Sequence, residues 1–259
     1  MASFTLKKYY AFWFSRKTFS WFDWFLIGSS ILVALISSLM SGNFNLMATC
    51  SVVCGVFCVV LGAKGSMANW LFGIVEVFFY ASICLSSHIY ADALQRIFYN
   101  LPMQFLGIYW WSRRRRSNDK SQIKTQFMSW GKRFYYIGII AVLTLVIAQL
   151  IKSFQGAMPE FLSTYILPGK FVKQEYTSMS QLYMDACTTV VSLVATYISA
   201  RAYVEQWFLW LFINIASIYI WAQNIQIGDP NALLMACKYG LYLINSFYAT
   251  CIWIRLSRD

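Results

Sequence analysis

Eight stretches of mostly apolar residues run along the chain between short polar breaks, at about 21–40, 46–63, 69–88, 91–111, 134–151, 181–200, 206–222 and 233–254. A hydrocarbon core about 30 Å thick takes about 20 helical residues to cross, so each stretch predicts one membrane span. The first is the least regular, because Asp23 and several aromatics give it an interfacial look. Polar residues inside the later stretches recur at helical spacing. Asn69, Gly73, Glu76 and Tyr80 fall on one face of the third span.

Composition agrees with this pattern. Hydrophobic residues make up 59% of the 259 and charged ones 12%, against about 25% charged in soluble domains. The formal net charge of +11 does not indicate nucleic acid, because the basic residues sit in runs between apolar stretches. All but five of the 21 Lys and Arg fall on one side of the parse; the five are Arg96, Lys152, Lys170, Lys173 and Lys238. The positive-inside rule then puts both termini in the cytoplasm and the loop at 159–176 outside. No cleavable signal sequence is expected, since the first apolar run lacks a small-residue cleavage site.

The spans are related to one another. Asn69-Trp70 opens the third as Gln206-Trp207 opens the seventh, and Arg96, Trp111 and Arg113 return as Lys238, Trp253 and Arg255 at one constant offset. The predicted fold is therefore an all-α polytopic membrane helix bundle of about eight spans, with two parallel three-helix repeats joined by a linker helix. Its segments are a basic N-terminus with an extra helix (1–45), the first repeat (46–112), a basic loop with linker helix and outer loop (113–180), and the second repeat (181–259). Folds built from repeats often hold substrate near the midplane between the halves.

Polar groups at membrane depth face a bundle interior, each other or a cavity. In the fourth span Asn100 and Gln104 flank Pro102, whose missing N–H predicts a kink. Trp207, Trp210 and Asn214 share a face of the seventh span, as Tyr242 and Asn245 do in the eighth. Interhelical packing and interfacial belts account for any one of these equally well. Together, amides and indoles in both halves suit a flat-ringed ligand bearing hydroxyls, and indole faces suit a cationic ring. The expected binding set is Asn100, Gln104, Trp207, Trp210, Asn214, Tyr242 and Asn245, with Trp70, Glu76, Tyr80 and Pro102 on the pathway or gate. A structural ion pair between Asp185 and Lys238 is expected, with Arg96 reaching toward Asp92 and Asp23 solvated.

Enzymatic signatures are lacking. His88 is the single histidine and no Walker A sequence occurs, so neither a histidine-based triad, a multi-histidine metal site nor a P-loop is encoded. Cys50, Cys54 and Cys58 form a stripe that reads as helix packing rather than metal binding. No cofactor is expected. A retinal-linked photoreceptor using Lys238 with Asp185 is disfavoured, because the repeat already accounts for Lys238 as the partner of Arg96. Arg113–Arg116 reads as a topology anchor before a scaffold for anionic lipid.

At Asn69-Trp70-x-x-Gly73, Tyr80, Tyr90-Ala91-Asp92-Ala93-Leu94 and Met103-Gln104-Phe105-x-Gly107-x-Tyr109-Trp110, the chain resembles the PnuC family. Glu205-Gln206-Trp207-x-x-Trp210-x-x-x-Asn214 and Lys238-Tyr239-Gly240-Leu241-Tyr242 extend the likeness over about 63–254. The resemblance implies a 3+1+3 helix core like that of the SWEET sugar transporters, and a bacterial inner-membrane homotrimer embedded in lipid. It also implies nicotinamide riboside uptake by facilitated diffusion with alternating access, the ligand being trapped by a cytoplasmic riboside kinase. Asn214 and Glu76 depart from the residues expected of many relatives. The alternatives are a same-fold carrier of thiamine or riboflavin, or one coupled to protons through Glu76.

Overall fold

A computed structural model describes residues 19–41, 44–86, 90–114, 123–154, 179–226 and 228–258. Every predicted span is helical: α1 (Trp21–Ser41), α2 (Leu46–Ala63), α3 (Ala68–Ser86), a broken fourth span, α6 (Trp130–Phe154), α7 (Met179–Ala200), α8 (Gln206–Gln226) and α9 (Ala232–Arg258). The fourth span comprises α4 (Tyr90–Gln95), a π-helical turn (Arg96–Asn100) and α5 (Leu101–Ser112). Five of these helices are long and apolar enough to cross a membrane on that criterion alone. The chain is a multi-pass membrane protein. His88, the loop at 159–176 and Arg115 and Arg116 lie outside the described residues.

Local chemistry sets the helix ends. The Ser20 amide and hydroxyl donate to Asp23 Oδ2 at 2.5 and 2.7 Å, and the Asp23 amide donates back to Ser20 Oγ at 3.3 Å, a capping box that starts α1. Asp23 is thus not solvated as expected. It is fully buried and paired with Lys64 Nζ at 2.7 Å, which ties α1 to the end of α2. Asn45 caps α2, its Oδ1 accepting from the Ala48 amide at 3.1 Å. The proline effect in the fourth span is a change of hydrogen-bond register. Pro102 offers no N–H, and the Leu101 amide donates to the Arg96 carbonyl, one residue further back than an α-helix allows.

The middle helix of each triplet touches both its neighbours: α3 contacts α2 and the fourth span, and α8 contacts α7 and α9. Between triplets, α9 packs on α2 while α5 packs on α7, so the last helix of each meets the first of the other. α1 lies against α2 and α9. α6 packs on α7, and Ala148 is its one buried side chain among the described residues. Tyr136, Ile139, Ile140, Ile147 and Ile151 are partly buried in its packing, and the exposed side chains along its middle are mostly apolar, where lipid is the solvent.

Two turns at the same end of the bundle have the same construction. α2 ends with Gly65 at φ +64°, and α7 ends with Ala202 at φ +60°. In the first, Gly65 N donates to Gly62 O at 2.9 Å and Ser66 N to Leu61 O at 3.0 Å. In the second, Ala202 N donates to Ser199 O at 2.9 Å and Tyr203 N to Ile198 O at 3.0 Å. Both are Schellman caps, and each leads directly into the next helix at Asn69-Trp70 or Gln206-Trp207.

Candidate functional site

The segment 123–126 spans these two turns. Ile123 N donates to Gly65 O at 3.2 Å, Gln126 N donates to Ala202 O at 3.1 Å, and Val204 N returns a bond to Gln126 O at 3.0 Å. Thr125 Oγ1 donates to the Trp253 carbonyl at 3.2 Å. Behind this strap stands a group of indoles held by the same device used twice. Trp253 Nε1 donates to Gly62 O and Trp111 Nε1 donates to Ser199 O, both at 3.0 Å. Trp70 meets Trp111 edge-on at 5.0 Å between ring centroids, and Trp207 meets Trp253 edge-on at 5.7 Å. These rings, with Met67 and Ile123, form one buried apolar cluster.

A cavity opens on the inner side of that cluster. Its wall includes Trp70, Trp111, Trp207, Trp210 and Trp253, the amides Asn69, Asn100, Gln104, Gln206 and Asn214, the thiol Cys58, and Glu76, Arg96, Tyr239, Tyr242 and Ser246. Equivalent positions of the two triplets contribute together: Asn69 with Gln206, Trp70 with Trp207, Gly62 with Ser199, and Trp111 with Trp253. Six buried polar atoms here have no hydrogen-bond partner among the described residues. They are Asn69 Oδ1, Asn100 Oδ1, Gln104 Oε1, Gln206 Nε2 and the Trp70 and Trp207 Nε1 atoms. A buried polar group without a partner costs about 1–3 kcal/mol, so six around one cavity mark where a polar ligand or ordered water satisfies them.

Charges close the opposite end. Lys238 Nζ, fully buried, donates to Glu76 Oε1 at 2.6 Å and to Ser51 Oγ at 2.9 Å. Arg96 Nη1 lies 3.8 Å from Glu76 Oε2, and Arg96 Nη2 donates to Tyr239 Oη at 3.4 Å. Tyr239 Oη donates to Tyr80 Oη at 2.8 Å, and the Tyr80 ring carries the Arg96 guanidinium at 4.5 Å and Lys238 Nζ at 4.2 Å. Lys238 therefore pairs with Glu76 rather than with Asp185. Sequence spacing alone could not show that Lys238 points across the bundle to α3.

Of the expected binding residues, Asn100, Gln104, Trp207, Trp210, Asn214 and Tyr242 line the cavity, as do Trp70 and Glu76 from the expected pathway set. Asn214 is already engaged, donating to Ser246 Oγ at 3.0 Å. Three expected residues stand elsewhere. Asn245 is buried against α2, its Nδ2 donating to Val59 O at 3.0 Å. Tyr80 belongs to the buried phenol network and accepts from Trp221 Nε1 at 3.4 Å. Pro102 faces outward. Asn69, Gln206, Arg96, Trp111 and Trp253 also line the cavity, outside the expected binding and pathway sets; for Arg96 the sequence pointed to Asp92 instead. Asn69 with Gln206, Trp111 with Trp253 and Arg96 with Lys238 stand at fixed offsets along the chain, and that spacing is the sequence signal that points to them.

A sequence model of the nicotinamide mononucleotide transporter family matches residues 45–255. The chain is 25% identical over 213 residues to the nicotinamide riboside transporter PnuC of Neisseria mucosa, covering 81% of this chain and 72% of that protein. It is 25% identical over 226 residues to the transporter of the same name from Haemophilus influenzae, covering 87% and 86% respectively. It is 24% identical over 251 residues to the riboflavin/roseoflavin transporter RibM of Streptomyces davaonensis, covering 95% and 94%. In fold it is similar to the crystal structure of the vitamin B3 transporter PnuC, with a TM-score of 0.73 at 22% identity over 93% of this chain and 94% of that one.

Proposed function

This chain belongs to the nicotinamide mononucleotide transporter family, and on that premise we propose that it carries nicotinamide riboside into the cell by facilitated diffusion with alternating access. The six unpartnered polar atoms beside the indoles of one cavity carry this reading. A pyridinium ring gains from an indole face, by about 2 kcal/mol or more when desolvated. Ribose hydroxyls and a carboxamide both donate and accept, as the free amide oxygens and indole N–H groups require. Trp207 and Trp210 border the ring, and Asn100, Gln104 and Asn214 serve the polar end.

The charge count favours the riboside over its 5′-phosphate. Glu76 and Asp92 stand against Arg96 and Lys238, and Asp92 interacts with Arg96. These four cancel, which leaves no surplus cation in the cluster for a phosphate dianion. The relatives named for the riboside agree with this. The relative named for riboflavin makes that vitamin, along with thiamine, the first competitor to test.

The reciprocal indole-to-carbonyl bonds and the paired Schellman caps support two parallel repeats joined by α6. We place both termini in the cytoplasm of a bacterial inner membrane, assign a homotrimer, and assign accumulation to phosphorylation by a riboside kinase. Transport is uniport, because Glu76 is committed to Lys238 and its equivalent in the second repeat is Ile213. Uptake into proteoliposomes tests the reading. Labelled nicotinamide riboside should equilibrate without an imposed gradient and should be outcompeted by unlabelled riboside, but not by the mononucleotide. Accumulation that requires a proton or sodium gradient would contradict it.

A further inference from the structure

Equivalent positions of the two triplets do not always carry equivalent side chains, and the sharpest difference lies in the cavity wall. Gly73 on α3 corresponds to Trp210 on α8, and Gln104 on α5 corresponds to Ser246 on α9; all four line the cavity. One side thus has a long amide over an empty position, and the other a large ring over a short hydroxyl. The amide depends on the glycine. A Cβ on Gly73 would lie 2.5 Å from Gln104 Oε1 and 2.8 Å from its Cδ.

We propose that Gly73 is a specificity-determining position, which holds the Gln104 amide in the cavity and thereby fixes the one orientation in which the ligand binds. This rests on the reading of the cavity as a nicotinamide riboside site. Two walls related by a twofold would accept a ligand in either of two directions. The exchange of glycine and glutamine for tryptophan and serine removes that ambiguity. Gln104 Oε1 has no partner among the described residues. Ser246 Oγ is occupied on both sides, accepting from Asn214 Nδ2 at 3.0 Å and donating to Tyr242 O at 2.8 Å. Hydroxyls or carboxamide therefore go to the Gln104 side, and the flat ring to Trp210.

Gly73 differs from the nearby Gly107, where an added Cβ would meet the Trp70 ring at 2.5 Å. A rigid buried indole cannot yield without disturbing the packing around it. The end of a glutamine side chain can swing aside, so a methyl group at position 73 moves the amide while leaving the helices in place.

The test is calorimetric titration of nicotinamide riboside into the purified full chain and into Gly73→Ala, Gln104→Ser and the double variant. Gly73→Ala should weaken binding by about ten-fold, as loss of one buried hydrogen bond does, with an unchanged melting temperature of the ligand-free protein. The double variant should be no weaker than Gln104→Ser alone, because both changes remove the same contact. Parent-like binding by Gly73→Ala, losses that multiply in the double variant, or a lowered ligand-free melting temperature would each overturn the proposal. A parent that does not bind the riboside would refute the substrate reading instead. In that case the structure of Gly73→Ala decides: a Gln104 amide swung out of the cavity upholds the positioning role, and an unmoved amide rejects it.

Discussion

The two ends of the cavity are closed by different physics. At the end nearest the 123–126 strap the main devices occur twice: two Schellman caps, two indoles donating to last-turn carbonyls, and one strap amide donating to each turn. The Val204-to-Gln126 and Thr125-to-Trp253 bonds are made on one side alone. At the other end the equivalent residues have diverged. Arg96 and Lys238 both face a single carboxylate, Glu76, whose own equivalent is Ile213. Helix termini bring the same unsatisfied groups wherever they occur, so the same solution serves both halves. Buried charges must be neutralised as a group, so cations from two helices share Glu76, and Asp92 beside Arg96 completes the balance. The comparison separates a framework that tolerates symmetry from a region that does not.

The largest effect should come from breaking the charged end. Glu76→Gln strands Lys238 in the bundle and should cost about 3–5 kcal/mol, whereas adding Lys238→Met to it should recover more than half. Thermal unfolding in detergent measures both, and a near-silent Glu76→Gln would mean that charge does not hold this end. At the symmetric end the losses should be smaller and matched. Trp111→Phe and Trp253→Phe each remove one indole donor, for about 1–1.5 kcal/mol, and clearly unequal losses would break the equivalence. The smallest effects should have opposite signs. Ala202→Gly relieves about 1–2 kcal/mol of left-handed strain but adds about 0.4–1 kcal/mol of unfolded-chain entropy, for a net gain of about 0.5–1 kcal/mol. Gly65→Ala should lose at least as much, since its Cβ also crowds Ile123 Cγ1 at 3.2 Å. Melting shifts of one sign for both would deny that the turns are alike.

The helices were legible because crossing a membrane demands long apolar runs, and the eight stretches correspond to the helices with ends extended by a few residues. The cavity was half legible. Trp207, Trp210, Asn100 and Gln104 announce themselves as costly groups at depth, but so do Tyr80 and Asn245, whose hydroxyl and Nδ2 bond within the protein. Helical spacing gives a face without saying whether that face meets a neighbour or a cavity. Long side chains hide their partners further. Lys238 reaches Glu76 and Asp23 reaches Lys64, neither pair being adjacent in the sequence pattern. Gly73 falls on the polar face of the third span, but the space it leaves for Gln104 cannot be read from that spacing.

Calorimetric titration of nicotinamide riboside and of its 5′-phosphate into the monodisperse parent, Gln104→Ala and Trp210→Ala tests the central claim most directly. The parent should bind the riboside and not the phosphate, and each variant should bind the riboside about ten-fold more weakly or worse while still purifying as the parent does. Parent-like affinity in both variants, or a phosphate that binds as well as the riboside, would contradict the account.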